Sequence, residues 1–122
     1  MTEQSAEEEW VIYVDGEPWP ASRFKILSYE NLKAMNVSEM FIPDYMRGGI
    51  IRYLECGIIP GSFLEMFLRN KLKETFGQAD GTNLHHIKQY VMWFWNHAPI
   101  QCWGDEKAPE NWQKFLVEYA DQ

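Results

Sequence analysis

The chain has 122 residues, 46% hydrophobic and 16% aromatic, with a net charge of −7; that suffices for one domain with a substantial core and no covalent staples. No apolar run approaches the roughly 20 residues of a membrane span, the acidic start is unlike a signal peptide, and Cys56 and Cys102 make no disulfide framework, so a cytoplasmic protein is expected. Residues 1–20 carry six acids and no base while residues 21–98 are nearly neutral, so there is no basic stripe for nucleic acid and no chain-wide carboxylate coat for DNA mimicry.

Residues 1–9 read as an acidic tail, and residues 10–122 as a single domain with a helical core over 42–119. Trp10–Val14 is a run of β-formers, and Asp15-Gly16 is a tight-turn signal. Pro18 and Pro20 bar a central strand, so a short hairpin or one edge strand ends near Trp19. A second short strand is expected over Phe24–Leu27. Ser28 then caps a short helix with Tyr29, Leu32 and Met35 at helical spacing.

From Ile42 the pattern is helical throughout. Pro43 stands in the first turn of a helix carrying Met46, Ile50 and Leu54, and Gly57 ends it. Ser62 and Glu65 form a capping-box pattern. The helix behind them aligns Leu64, Phe67, Leu68 and Leu72 and closes at Gly77. Asp80 or Thr82 caps the third helix, where Leu84, Ile87, Val91, Phe94 and Ala98 form an apolar seam. Tyr90, Met92, Trp93 and Trp95 fill much of the remaining circumference, so this helix is expected to be wholly buried, at the centre of the fold or in an oligomer interface. Pro99 stops it. Pro109 starts a last helix with Trp112, Phe115, Leu116 and Tyr119 in one stripe. The fold class is therefore mainly α, a compact bundle of four to five helices with a short N-terminal β-hairpin or strand.

Few residues carry recognisable chemistry. His85 and His86 point about 100° apart on a helix, His97 lies three turns on, and neither His-x3-His nor Cys-x2-Cys spacing occurs, so no metal or other cofactor is expected. Cys56 and Cys102 read as small hydrophobes. Gly57–Ser62 matches a phosphate loop only superficially and reads as a turn. Gly48-Gly49 within a helix costs roughly 1 kcal/mol per glycine; helix packing, a kink or a ligand on bare backbone would each explain it. Arg47 and Arg52 flank the pair and suit either an anion or ion pairs with Asp44 and Glu55. Trp93, Trp95, Trp103 and Trp112 are more indoles than one small core needs, which leaves an aromatic interface or pocket open.

Ile42-Pro43, Arg52-Tyr53, Gly57-Ile58, Pro60-Gly61, Phe63-Leu64, Asn70, Leu72, Ala79-Asp80, Asn83-Leu84, Pro99 and Cys102-Trp103-Gly104 together resemble small uncharacterised proteins of bacteriophages and prophages, over about residues 42–112. The resemblance implies a phage or prophage setting, host-cell cytoplasm, and a protein that redirects a host factor. It carries no site residues.

The leading expectation is a non-enzymatic binding protein that engages and modulates a host protein, for example as an anti-defence inhibitor. A small-ligand binder, such as a sequestering protein for a nucleotide signal, is the alternative, and a small enzyme with a Cys or His site comes third. Arg47, Arg52, Trp95, His97 and Trp103 are the candidate ligand or partner contacts; no catalytic residue is assigned. Self-association through the third helix is consistent with its apolar excess.

Overall fold

The computed structural model describes residues 10–120; the acidic stretch 1–9 expected as a tail lies outside them. Two strands, β1 (Val11–Val14) and β2 (Glu17–Pro20), pair antiparallel with Val14 opposite Glu17 and Val11 opposite Pro20. Asp15 and Gly16 both take positive φ (51° and 85°), as a two-residue turn matched to strand twist requires. The choice between hairpin and single strand therefore falls to the hairpin. Its alternation is clean: Val14 and Trp19 are buried, while Val11, Tyr13, Pro18 and Pro20 are exposed.

The strand expected over Phe24–Leu27 does not form. A 3₁₀ turn over Ala21–Arg23 ends the hairpin, and the sheet among the described residues has only the strands β1 and β2. A carboxylate takes the place of a ladder: Glu55 accepts hydrogen bonds from the backbone N–H groups of Lys25 (2.7 Å), Ile26 (3.0 Å) and Leu27 (2.7 Å). Helix α1 (Tyr29–Ala34) follows, capped as expected by Ser28, with Asn31 completing a reciprocal capping box.

Helix α2 (Asp44–Cys56) is the buried axis of the molecule; Ile50, Ile51, Tyr53 and Leu54 are almost inaccessible. Gly57 ends it at φ 75°. Gly48 accommodates the hairpin tip: a Cβ there would lie 2.6 Å from Asp15 Oδ1. The close approach at the double glycine is thus made by a side chain, and Gly48 also lines a cavity of about 270 Å³ together with Asp15, Tyr29, Lys33, Asp44 and Arg47.

The single helix expected from Ser62 to Gly77 is two, α3 (Ser62–Leu68) and α4 (Leu72–Gln78). Between them Asn70 adopts φ 61°, one of the few non-glycine residues that tolerate it. The amides of Asn70 and Lys71 bond back to Phe67 and Met66 carbonyls (3.1 and 3.0 Å). Gly61 occupies the cap position of α3 and Ser62 is its first helical residue, so the Ser62–Glu65 capping box is absent. Leu72, expected on the buried face, is exposed because the break rotates α4 relative to α3.

Asp80 caps α5 (Gly81–His97), which stops before Pro99 with Ala98 extended. A 3₁₀ turn over Ile100–Cys102 leads to α6 (Ala108–Ala120), with Pro109 in its first turn. Six α-helices, one hairpin and three 3₁₀ turns (the third over Ser38–Met40) are the regular elements among the described residues, a mainly α fold with minor β. The core reaches beyond the 42–119 unit: Val14, Trp19, Leu27, Leu32 and Met35 join Ile42, Ile50, Leu54, Leu68, Trp93 and Trp112 in one cluster. No helix among the described residues is long and apolar enough to cross a membrane.

Candidate aromatic docking groove

Helix α5 decides where the aromatic surface lies. Its buried residues are Asn83, Tyr90, Trp93 and Phe94. The expected seam of Leu84, Ile87, Val91, Phe94 and Ala98 is displaced by about one residue; Leu84 and Val91 are exposed, as are Met92 and Trp95. The helix is therefore not wholly buried, and the central helix is α2. The reason is aromatic bulk with satisfied polar atoms. Tyr90 donates its hydroxyl hydrogen to Asn83 Oδ1 (2.6 Å), and Trp93 Nε1 donates to the Asn31 carbonyl (2.9 Å). These large rings bury more area than Leu or Val, and their polar atoms cost nothing unpaired.

Two residues further along a helix is about 200° around it, so burying Trp93 turns Trp95 outward. Trp95 is 76% exposed. It lines a groove of about 460 Å³ together with Asn70, Ala98, Ile100, Trp103 and Gly104. Ile100 is 85% exposed. Trp103 is half-buried, stacked on Phe67 (centroids 5.7 Å apart, planes 10°) and tilted against Phe94 (5.6 Å). The groove wall is firmly held: Gly104 N–H donates to the Leu68 carbonyl (2.9 Å), and the buried Tyr53 hydroxyl donates to the Cys102 carbonyl (2.7 Å). Asn70 reaches the groove because of the α3–α4 break, which periodicity alone does not announce.

The other candidate contacts lie elsewhere. Arg47 is spent on structure: Nε donates to the Ile42 carbonyl (2.7 Å), one terminal nitrogen donates to the Met35 carbonyl (3.0 Å), and the other pairs with Asp44 (3.1 Å). Burial lowers its pKa from the usual guanidinium value. Arg52 pairs with Asp15 at the hairpin tip, not with Glu55. His97 stacks on Trp93 (6.1 Å) and faces Asn31. Asn31 Oδ1 already accepts from the Ser28 amide, so Asn31 Nδ2 donates to His97 Nδ1 (3.1 Å). Of the five candidates, Trp95 and Trp103 share one site; Arg47, Arg52 and His97 occupy three other places.

One cleft does combine arginine and indole, but through residues other than the candidates apart from Arg52. Asp15, Glu17, Trp19, Arg23, Arg52 and Cys56 line about 230 Å³ under the hairpin. There Arg23 lies 3.7 Å over the Trp19 ring and pairs with Glu17 (2.7 Å). The guanidinium at Arg23 holds the Glu17 carboxyl below its ordinary pKa. Both arginines thus have carboxylate partners, and the indole face is already occupied.

Cys102 is buried, and desolvation pushes its thiol up to about 12, away from a nucleophilic thiolate. Cys56 is exposed at the end of α2, in a cleft with no histidine among its lining residues. Among the described residues no group of three or more His, Cys, Asp and Glu side chains is placed to hold a metal ion. No protein-family model, curated protein or solved structure matches this chain.

Proposed function

We propose that this chain is a small non-enzymatic binding protein that engages another protein through the Trp95–Ile100–Trp103 groove. In the phage or prophage setting that the resemblance implies, that partner is a host protein. The observation that carries the reading is the outward Trp95, set beside a half-buried second indole in an apolar groove. Tryptophan is among the residues most enriched at the energetic centres of interfaces, and exposing one brings no benefit to the free domain. The rigid wall behind Trp103 means little ordering cost on binding.

The test is capture from host lysate with wild type, Trp95→Ala, Ile100→Asp and Tyr13→Ala side by side. Wild type and Tyr13→Ala, which alters an exposed hairpin residue away from the groove, should retain a stoichiometric partner that both groove variants lose. Recovery of no partner, or of one indifferent to both groove variants, refutes the proposal. The small-ligand reading has less support, because the arginines of the hairpin cleft are internally paired. A nucleotide panel should leave Tm unchanged; a clear shift would favour that reading.

A further inference from the structure

The two outer edges of the hairpin differ. The Ala21 amide donates to the Trp10 carbonyl (2.9 Å), and the pairs Ile12–Trp19 and Val14–Glu17 continue that register. Hydrogen-bonded and non-hydrogen-bonded pairs alternate along an antiparallel ladder. Positions 10, 12 and 14 therefore bond across to β2, while Val11 and Tyr13 direct their N–H and C=O groups to the outer edge of β1. Opposite them stand Pro20 and Pro18, which put no N–H on the outer edge of β2. The β2 edge is thereby closed to a further strand, and the β1 edge is open. No backbone hydrogen bond beyond the ladder engages Val11 or Tyr13 among the described residues.

The cavity of about 270 Å³ beside Gly48 lies along the open edge. Its lining includes Ile12, on the same face of β1 as buried Val14, and Tyr13, on the exposed face, but no residue of β2. A cavity bordered by both faces of one strand and by none of the paired strand lies at the free edge of the first. Buried Leu32, Met35 and Ile51 supply apolar lining across from it. Strand addition uses these two features together: main-chain bonds along an edge give affinity, and a pocket beside it receives alternate side chains. The charged side chains of the lining, Asp15, Asp44, Lys33 and Arg47, cancel, so the cavity suits an apolar side chain. The stretch that ends in this hairpin is acidic, with six acids and no base over residues 1–20. Residues 1–9 folded back, or the hairpin of a second copy, would add like charge there, whereas a basic strand is attracted.

We propose that the outer edge of β1 binds an extended segment of another protein as a third strand, with an apolar side chain in the cavity and lysine or arginine on either side of it. Tyr13 N–H donates to a carbonyl of that segment and Tyr13 C=O accepts from one of its amides. The site shares no residue with the Trp95 groove and does not depend on it.

The probe is a fluorescein-labelled heptapeptide of alternating valine and threonine with a lysine at each end, the central valine also replaced by leucine or phenylalanine, titrated by fluorescence anisotropy at low ionic strength. At least one of the three should bind, and its glutamate-ended counterpart should bind more weakly. Valines direct their amides to one edge of such a strand and threonines to the other. N-methylation of the valines in one peptide and of the threonines in a second should therefore abolish binding in one case and spare it in the other. Tyr13→Pro removes an outward N–H and no ladder bond, as Pro18 does opposite, and should weaken binding at least about ten-fold. Tyr13→Ala and Trp95→Ala should leave it unchanged. On binding, the Tyr13 amide should gain hydrogen-exchange protection. Far-UV circular dichroism and Tm check that Tyr13→Pro is folded, and the N-methylated peptides test the same bonds on the wild-type chain. No binding by any of the three peptides at millimolar concentration, equal binding of the two N-methylated forms, equal binding of the glutamate-ended form, or loss of binding in Trp95→Ala overturns the proposal.

Discussion

A methyl group added to each of the two adjacent glycines of α2 should have different effects. At Gly49 a Cβ would meet Leu64 Cδ1 at 3.7 Å and Pro60 Cβ at 3.8 Å, ordinary contact distances. Gly49→Ala should therefore gain the helix-propensity difference of about 1 kcal/mol, a rise in Tm of roughly 3–6 °C for a domain of this size. At Gly48 the same atom would lie 2.6 Å from Asp15 Oδ1 and 2.8 Å from its Cγ. Asp15 cannot simply swing away, because its side chain is short, its backbone is fixed in a two-residue turn, and its carboxylate is paired with Arg52. The hairpin tip must shift instead. That gives up a half-exposed ion pair, at about 0–1 kcal/mol, and some of the packing of buried Val14, at about 0.8 kcal/mol per methylene uncovered. Gly48→Ala should consequently be at least about 1 kcal/mol less stable than Gly49→Ala. In an Asp15→Gly background, where glycine keeps the positive φ, Gly48→Ala should regain about 1 kcal/mol. Urea unfolding of the four proteins in this cycle, read by circular dichroism and Trp fluorescence, measures the coupling. Equal stabilisation at both glycines, or zero coupling to Asp15, would refute the reasoning.

Removing the Glu55 carboxylate leaves three amides of Lys25–Leu27 without their acceptor; Glu55→Ala should cost about 2–3 kcal/mol in urea unfolding and speed hydrogen exchange at those amides. Trp112 is fully buried, and its Nε1 donates to the Tyr53 and Leu54 carbonyls (3.1 and 3.2 Å), so Trp112→Ala should cost about 3–5 kcal/mol and Trp112→Phe about 1–2 kcal/mol. Trp95→Ala should stay within about 0.5 kcal/mol of wild type while abolishing partner capture; a large loss of stability would mean that Trp95 is structural. The bidentate pair with Arg69 holds the Glu110 carboxyl at about 2, against an ordinary 4.5. In acid the unfolded chain therefore binds the proton first, so this contribution is complete above pH 4.5 and is lost as pH falls towards 2. Glu110→Gln should flatten the acid limb of a stability–pH curve in that window, and an unchanged limb would show the pair to be inert.

The elements that were legible in the sequence are those decided within four or five residues. The Asp15-Gly16 turn, the Ser28 and Asp80 caps, the Gly57 terminus and the stop before Pro99 each depend on one side chain or one φ angle and its near neighbours. Phe24–Leu27 has the residues of a strand, but a strand needs a partner, and the acceptor it found is Glu55, some thirty residues away. The break at Asn70 was hidden for a similar reason. It lies beside Arg69, whose guanidinium pairs with Glu65 one turn back and with Glu110 on α6, and an asparagine in the left-handed region leaves no signal as plain as glycine's.

The candidate site divides the same way. The number of indoles was visible in the composition, and it left open whether they fill the core or form an aromatic surface; Trp93 and Trp112 are buried and Trp95 is exposed. Periodicity placed apolar residues nearly all around α5, and a nearly continuous apolar circumference carries no preference for one face. The packed chain made that choice, because only inside it do Tyr90 and Trp93 find Asn83 and the Asn31 carbonyl for their polar atoms. Helix geometry then turned Trp95 outward. Local chemistry thus determined most of the points where helices start and stop, with the break at Asn70 and the cap of α3 as the exceptions. Which face of α5 is buried, and that Trp95, Ile100, Trp103 and Asn70 meet in one groove, was decided by contacts between residues far apart in sequence.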